Sequence, residues 1–390
     1  MYAAGDLSGD EKRLPTPTEE CQLATERDSR ATFRLVVLVA SLTIVAAAAC
    51  GGGAQSQAPS AAGSQTASSA SAGASQSGGG ATPTTPTTPT TSAMPSALLP
   101  IPTIPNIASR PSGKVIAWGD NSQGQASVPA GLTGVVAVSG GDQFSLALES
   151  NGTVVGWGSD DSGQVDVPAG LTGVVAISGG SNHSLALKSD GTVVGWGDNT
   201  SGETTPPVGL SKAVAVSAAG QHSLALKSDG TVVAWGSNAN GESDVPSGLG
   251  NVVAVSAGYD FSLALKSDGT VVAWGDKFPT DVSTGVAVVP AGLSGVKAIC
   301  AGYVDNLVVK SDGSVVGWGA DEFGETDVPD AASSVVAVAI GGSFGLALKS
   351  DGTIVAWGAN DQKQATVPAG TIGVLGIDAG ATHALAIVRQ

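Results

Sequence analysis

Seven Trp-Gly pairs recur at Trp118, Trp157, Trp196, Trp235, Trp274, Trp318 and Trp357. The interval is 39 residues throughout, except for 44 between Trp274 and Trp318. A period of about 40 holding several short apolar runs is the signature of a propeller or a solenoid. One unit shows the logic. Val174 to Ser178 and His183 to Leu187 read as two strands, and Thr192 to Trp196 as a third. Lys188-Ser189-Asp190-Gly191 joins the second to the third, because Asp-Gly supplies the positive φ of a tight hairpin. Gly202 to Thr205 is expected to add a short fourth strand, with Pro206 and Pro207 on the outer edge.

The three main strands are apolar at nearly every position, so both sheet faces are expected to be buried. Packing each blade between two neighbours does this. A solenoid would need polar caps at its ends. Here the ends complement each other instead: the chain finishes after a second strand, His383 to Ile387, and the repeats open with a third, Gly113 to Trp118. The expected fold is therefore an all-β, seven-bladed β-propeller over 113–390, closed by pairing N- and C-terminal strands in one blade.

Residues before Gly113 are of another kind. Leu35 to Ala49 is apolar and follows Arg27, Arg30 and Arg34. It is short for a transmembrane helix and suits the h-region of an export signal. Ala47-Ala48-Ala49-Cys50 resembles a bacterial lipoprotein signal, with Cys50 as the lipidation site, although that pattern favours Leu where Ala47 stands. Residues 1–34 read as a cytoplasmic n-region or a mis-assigned start, 35–50 as signal and lipobox, and 51–112 as a disordered Ser/Ala/Gly/Pro/Thr linker. The expected location is extracytoplasmic, tethered to the bacterial cell membrane, or otherwise secreted.

Net charge is −16, and the part after Cys50 carries 12 Lys and Arg against 26 Asp and Glu. Nucleic acid is not an expected partner, since affinity for it rests on neutralising phosphates. Cys21, Cys50 and Cys300 have no metal-ligand spacing, and no disulfide is expected. Cys300 stands where sister strands carry Ser, as a small core residue.

The run Gly220-Gln221-His222-Ser223-Leu224-Ala225-Leu226-Lys227-Ser228-Asp229-Gly230-Thr231-Val232-Val233-Ala234-Trp235-Gly236 resembles regulator-of-chromosome-condensation repeats. With Val128-Pro129-Ala130-Gly131-Leu132 it is similar to the bacterial branch, which includes a secreted inhibitor of β-lactamases. The resemblance covers about 113–390. It implies the propeller and, from that branch, an exported binder of proteins. The inhibitor's aromatic-rich face has few counterparts here, and function does not follow from fold.

Strand direction sorts the loops onto two faces. The Lys-Ser-Asp-Gly turns and Val-Pro-Ala-Gly-Leu connections form one, nearly constant between units. The loops before the second strand and after Trp-Gly form the other, and these vary, which suits recognition. The variable face is the expected partner-binding face. It offers Asp160, Asp161, Asp260, Asp321 and Glu322 as its charges, and Tyr259, Phe278, Tyr303 and Phe323 as anchors. It should receive a protein with a basic surface patch, docked over blades five to seven. The competing explanation for the acidic residues is turn closure.

His183, His222 and His383 share one repeat position with Phe144, Phe261, Phe344 and Asp305, so they read as packing residues rather than catalysts. No cofactor or metal motif stands out, and Asp160-Asp161 and Asp321-Glu322 lack calcium-loop spacing. The leading expectation is a non-catalytic, monomeric, lipid-anchored binding module, such as an enzyme inhibitor or envelope assembly platform. The alternative is a cell-wall polymer hydrolase or lyase with its site in the propeller channel.

Overall fold

A computed structural model describes residues 98–100, 102–276 and 285–390. The expectations for the signal, Cys50, the linker up to residue 97 and Phe278 lie outside the described residues.

The described chain is all-β apart from a 3-10 turn at Ile107–Ser109. Strand β1 (Gly113–Gly119) comes first. Six consecutive meanders follow: β2–β4 (Val135–Gly140, Phe144–Glu149, Val154–Gly158), β5–β7 (Val174–Gly179, His183–Lys188, Val193–Gly197), β8–β10 (Ala213–Ala219, His222–Lys227, Val232–Gly236), β11–β13 (Val252–Ala257, Phe261–Lys266, Val271–Gly275), β14–β16 (Val296–Ala301, Asp305–Lys310, Val315–Gly319) and β17–β19 (Val335–Ile340, Phe344–Lys349, Ile354–Gly358). The chain ends with β20 (Val374–Ala379) and β21 (His383–Arg389). Five sheets are three-stranded. The sixth has the order β20-β21-β1-β2-β3-β4. Within it β1 pairs antiparallel with β21 over its whole length, from Gly113↔Arg389 to Gly119↔His383. It meets β2 at one pair, Gly113↔Val135.

Each hairpin turn is built as its sequence dictates. Gly191 takes φ +80°, and Asp190 Oδ1 accepts the Thr192 amide at 3.0 Å and its hydroxyl at 2.6 Å. Asp229, Asp268, Asp312 and Asp351 repeat this bonding. The Lys188–Asp190 ion pair at 3.4 Å is exposed and adds little.

Burial follows strand order. First strands such as β5 are buried at every position, and second strands at all but the last. Third strands such as β7 are half-buried except at Trp. The expectation of three fully buried strands thus holds for two. The apolar clusters straddle units. Trp157 and Val138 pack with Leu385 and Ile387, and Trp196 and Ile177 with Leu146 and Phe144. At roughly 25 cal/mol per Å² of apolar area removed from water, these inter-unit faces dominate stability.

Three expectations are corrected. First, no fourth strand forms at Gly202 to Thr205, which runs as consecutive turns. The segment lies over the sheet face: a Cβ on Gly195 would sit 2.5 Å from the Thr204 carbonyl oxygen. Its amides are used locally, as in Thr205 N to Gly202 O, so none remains for a ladder. Second, residues 98–100 and 102–112 are not loose. The Leu99 amide bonds the Ser267 carbonyl at 2.6 Å, and Leu99, Ile104 and Ile107 pack against successive inter-unit clusters. Spaced apolar anchors hold this strap to the constant face despite its prolines. Third, Cys300, fully buried in β14, is disulfide-bonded rather than an unbridged core residue.

Candidate functional site

The variable loops rest on a repeated polar scaffold between units. Each Trp Nε1 donates to a main-chain carbonyl in the loop preceding its own unit. Trp157 reaches Gln125 at 2.8 Å, Trp196 reaches Gln164 at 2.9 Å and Trp235 reaches Glu203 at 2.7 Å. The same carbonyls accept Ser145, Ser184 and Ser223 hydroxyls. The Gln and Glu side chains fold back onto their own loops, with Gln164 Oε1 and Glu203 Oε2 each accepting a main-chain amide at 2.8 Å. In the first strands, Ser139, Ser178, Ser217 and Ser256 Oγ accept an amide from the next unit's first strand. Asp378 Oδ2 does so for Gly140 at 2.9 Å.

The histidines belong to this scaffold. His183 Nε2 meets Ser223 Oγ at 3.1 Å, His222 meets Ser262 at 2.9 Å, and His383 meets Ser145 at 2.9 Å. Each serine proton is already given to a carbonyl, so Nε2 carries the imidazole proton and Nδ1 is bare. Nδ1 of His222 and His383 has no partner. Burial drives the pKa of His183 and His222 down to about 3, and that of His383 to about 4. Packing alone was the expectation; the hydrogen bond to the next unit is what it missed. The repeated 40-residue interval between His and Ser was the available signal. Asp305 fills the same slot, fully buried, and Gly345 of the next unit offers it no hydroxyl. Burial first, then Glu325 nearby, pushes its carboxyl well above the usual range.

The predicted acidic residues divide. Asp160 Oδ1 accepts the Val165 amide at 3.2 Å, and Asp321 Oδ1 accepts the Thr326 amide at 2.9 Å. Asn121, Asn199, Asn238 and Asn360 close the same five-residue step, so these two aspartates have a turn-closing role. Asp161 and Glu322 are exposed, with Asp161 accepting Ser159 Oγ at 3.3 Å. Phe323 stands 59 % exposed. Asp260 is half-buried, and desolvation, then Glu242, raises its carboxyl pKa.

Tyr259 and Tyr303 come together, with ring centroids 4.2 Å apart and planes at 51°. Burial and the Tyr259 contact push the Tyr303 phenol up to about 12, and Asp142 lies near enough to contribute. These residues occupy one repeat position, just past the end of the first strand, held in turn by Asp142, Ser181, Gly220, Tyr259, Tyr303, Gly342 and Ala381. Main-chain bonds link neighbours there: Ser181 N to Gly220 O, Tyr259 N to Gly302 O, and Gly342 N to Ala381 O. The following residues tie this loop to the one after Trp-Gly, as in Asp198 N to Asn182 O at 2.9 Å. Between them opens a cavity of about 180 Å³, lined by Asp142, Ser181, Asn182, Asp198, Glu203, Gly220, Gln221 and Tyr259. Sequence reasoning placed the site over later units and did not single out Ser181 or Glu203.

An all-β chain of repeated three-stranded blades, stitched unit to unit by Trp and Ser, defines a class of propeller scaffold. Residues 135–164, 174–203, 213–242, 252–276 and 335–364 match the family model described as "Regulator of chromosome condensation (RCC1) repeat". The chain belongs to this repeat family. Among solved structures it is similar to Prp20p from Saccharomyces cerevisiae, at 17 % identity over 72 % of this chain and 92 % of that one, with a TM-score of 0.58. It is also similar to yeast RCC1 (Prp20) crystallised with Kap60, at 16 % identity, covering 76 % and 94 %, TM-score 0.60. Human WBSCR16 matches at 18 % identity, covering 72 % and 99 %, TM-score 0.57. At these identities the likeness shows the RCC1-like propeller fold. The comparison with curated proteins found no match.

Proposed function

We propose that this protein is a non-catalytic protein-binding module, a closed seven-bladed propeller whose partner docks on the face carrying Tyr259 and Tyr303. One observation carries the reading. The scaffold repeats almost unchanged from unit to unit, yet the seven equivalent positions from Asp142 to Ala381 hold five different residue types. Symmetry is kept where it packs and dropped where a ligand would arrive. Paired tyrosines beside carboxylates have the character of an interface anchor.

Closure is supported by the β1–β21 pairing and by apolar clusters joining every successive pair of units, including β20 to β2. On this reading the six-stranded sheet is two blades touching at Gly113 and Val135. The yeast relative Prp20p is described by its binding properties to Gsp1p and histones, which makes protein binding a natural use of the scaffold. We further propose that the apolar run 35–49 delivers the propeller to the outer side of a bacterial membrane, so that the partner is an envelope protein. A chain of net charge −16 favours a basic surface on that partner.

The test is affinity capture from envelope extract by the full chain. Beside it run Tyr259→Ala, Tyr303→Ala and, on the opposite face, Asp330→Asn. A protein retained by the wild type and by Asp330→Asn, but lost with either tyrosine, supports the proposal. Equal retention by all four removes this face as the site.

A further inference from the structure

The seams between units are not alike. Polar stitches cross them in two rows. In the first, Ser139, Ser178, Ser217, Ser256 and Asp378 each accept an amide from the following unit. In the second, His183, His222 and His383 each meet a serine of the following unit. Phe144, Phe261 and Phe344 fill that second slot with buried apolar rings. The seam between β14–β16 and β17–β19 has neither answer. Cys300 takes the place of the first-row serine, with its sulfur in a disulfide. Asp305 takes the second slot, and Gly345 stands where the serine would be. The Trp357 ring occupies the space of that serine: a Cβ on Gly345 would sit 2.5 Å from Cζ2. An apolar edge therefore replaces the lost hydroxyl.

Asp305 is fully buried, and neither carboxyl oxygen has a hydrogen-bond partner. Oδ1 lies beneath Gly302, and Ile340 of the next unit closes over the same spot. Main-chain amides of Tyr303 and Val304 lean toward the carboxyl and favour its charge, but burial outweighs them. The charged neighbours add to the cost, since Glu325 and Asp321, from the loop after β16, have the same sign. Strands β17 and β18 bring no acid, and their one cation, Lys349, lies at the far end in an ion pair with Asp351. On the near side, Lys297 sits at the far end of β14 and donates to the Val335 carbonyl at 3.3 Å. A carboxyl so placed is tolerable when neutral and costly when charged.

We propose that this seam is a pH-sensitive joint, shut while Asp305 is neutral and loosened when it ionises. Opening the joint returns the carboxyl to water, where its ordinary acidity is restored. Between the ordinary carboxylate range and the raised value, the open form holds fewer protons than the closed one, so rising pH favours it. Closure is fully stable below that range and loses stability upward through it. The His183 and His222 seams run the other way. Their open forms bind a proton that the closed forms, with pKa about 3, refuse. Acid loosens them and neutral pH tightens them. Tyr303 lies two residues before Asp305, so the joint borders the loop that carries one of the two tyrosines. It works whatever the variable face binds.

Each of these seams carries its own reporter, because one indole N–H crosses it. Trp357 Nε1 donates to the Glu325 carbonyl at this joint at 2.8 Å, and Trp235 and Trp274 make the same bond at the two histidine seams. The experiment is hydrogen exchange of these indole protons by NMR in the full chain, from pH 5 to pH 7, corrected for intrinsic rates. Trp357→Phe assigns the key resonance. Trp357 protection should fall across this range, by up to about tenfold per pH unit for one proton. Protection of Trp235 and Trp274 should not fall. Asp305→Asn should abolish the change at Trp357. Asp305→Phe should do the same, filling the slot as Phe144, Phe261 and Phe344 do, and it decides the matter if the asparagine variant does not fold. Trp357 protection that does not fall, that falls in step with the other two, or that still falls in the folded variant overturns the proposal.

Discussion

Replacing His183 by phenylalanine should make the protein less stable at pH 7 and more stable at pH 5. The exchange is conservative in shape. Phe144 fills the same slot under Gly141 as His183 does under Gly180, with the ring lying beneath the glycine in both. At pH 7 the variant loses one hydrogen bond to Ser223, which still donates to the Glu203 carbonyl. That should cost about 1 kcal/mol. Acid acts on the wild type alone. His183 stays neutral in the fold because its pKa lies near 3 against 6.5 in the unfolded chain. Between these values the unfolded state binds the extra proton, so stability falls as pH falls. From 6.5 to 5 the loss is about 1.5 pH units at about 1.4 kcal/mol each, roughly 2 kcal/mol. The two denaturation-midpoint curves should therefore cross, the variant ending about 1 kcal/mol ahead at pH 5. Other buried groups shift both curves alike and cancel in the difference. Parallel curves would refute the argument, because they would mean that His183 already takes up its proton in the folded protein.

Other outcomes follow from single positions. Asp378→Ser restores the residue used at Ser139, Ser178, Ser217 and Ser256. Since burial raises the Asp378 pKa well above normal, wild-type stability drops as pH rises through the usual carboxylate range. The variant's advantage should therefore grow from pH 4 to pH 7 in chemical denaturation. Ser334 adopts φ +56° where Gly134, Gly173, Gly295 and Gly373 stand in sister units. Ser334→Gly should raise stability by about 1 kcal/mol, read as a higher melting temperature. Gly380→Ala places a Cβ 2.1 Å from the His383 ring and 2.3 Å from the Gly141 carbonyl oxygen. It should cost about 3 kcal/mol or more, and unfolding should begin in the unit that joins the two ends of the chain, seen as early loss of amide protection in β20 and β21.

The strands were legible because Trp-Gly and Asp-Gly recur in phase and the runs between them are apolar. What the reading missed is non-local. His183-Ser184 and His222-Ser223 each look like one motif, yet the two histidines bond Ser223 and Ser262 of the following unit, 40 residues away. The fourth strand failed because Asx and Gln/Glu side chains capture that segment's amides in turns, which composition alone does not rank against a ladder. Leu99, Ile104 and Ile107 were hidden by their Pro-rich surroundings, where isolated apolar residues carry no period. At the candidate site, Tyr259 and Tyr303 were visible as rare aromatics in variable loops. Ser181 and Glu203 were not, since their place beside Asp142 depends on units converging. Asp160 and Asp321 do in their loops what asparagine does in the sister loops, the competing explanation that the sequence also offered.

The most direct test of the binding face is hydrogen–deuterium exchange of the full chain, alone and with its captured partner. Protection should appear in the loops around Asp142, Ser181, Gly220, Tyr259 and Tyr303, while the Lys-Ser-Asp-Gly turns keep their free exchange rates. Protection confined to those turns, or to the strap at residues 98–112, would place the partner on the constant face and contradict the account.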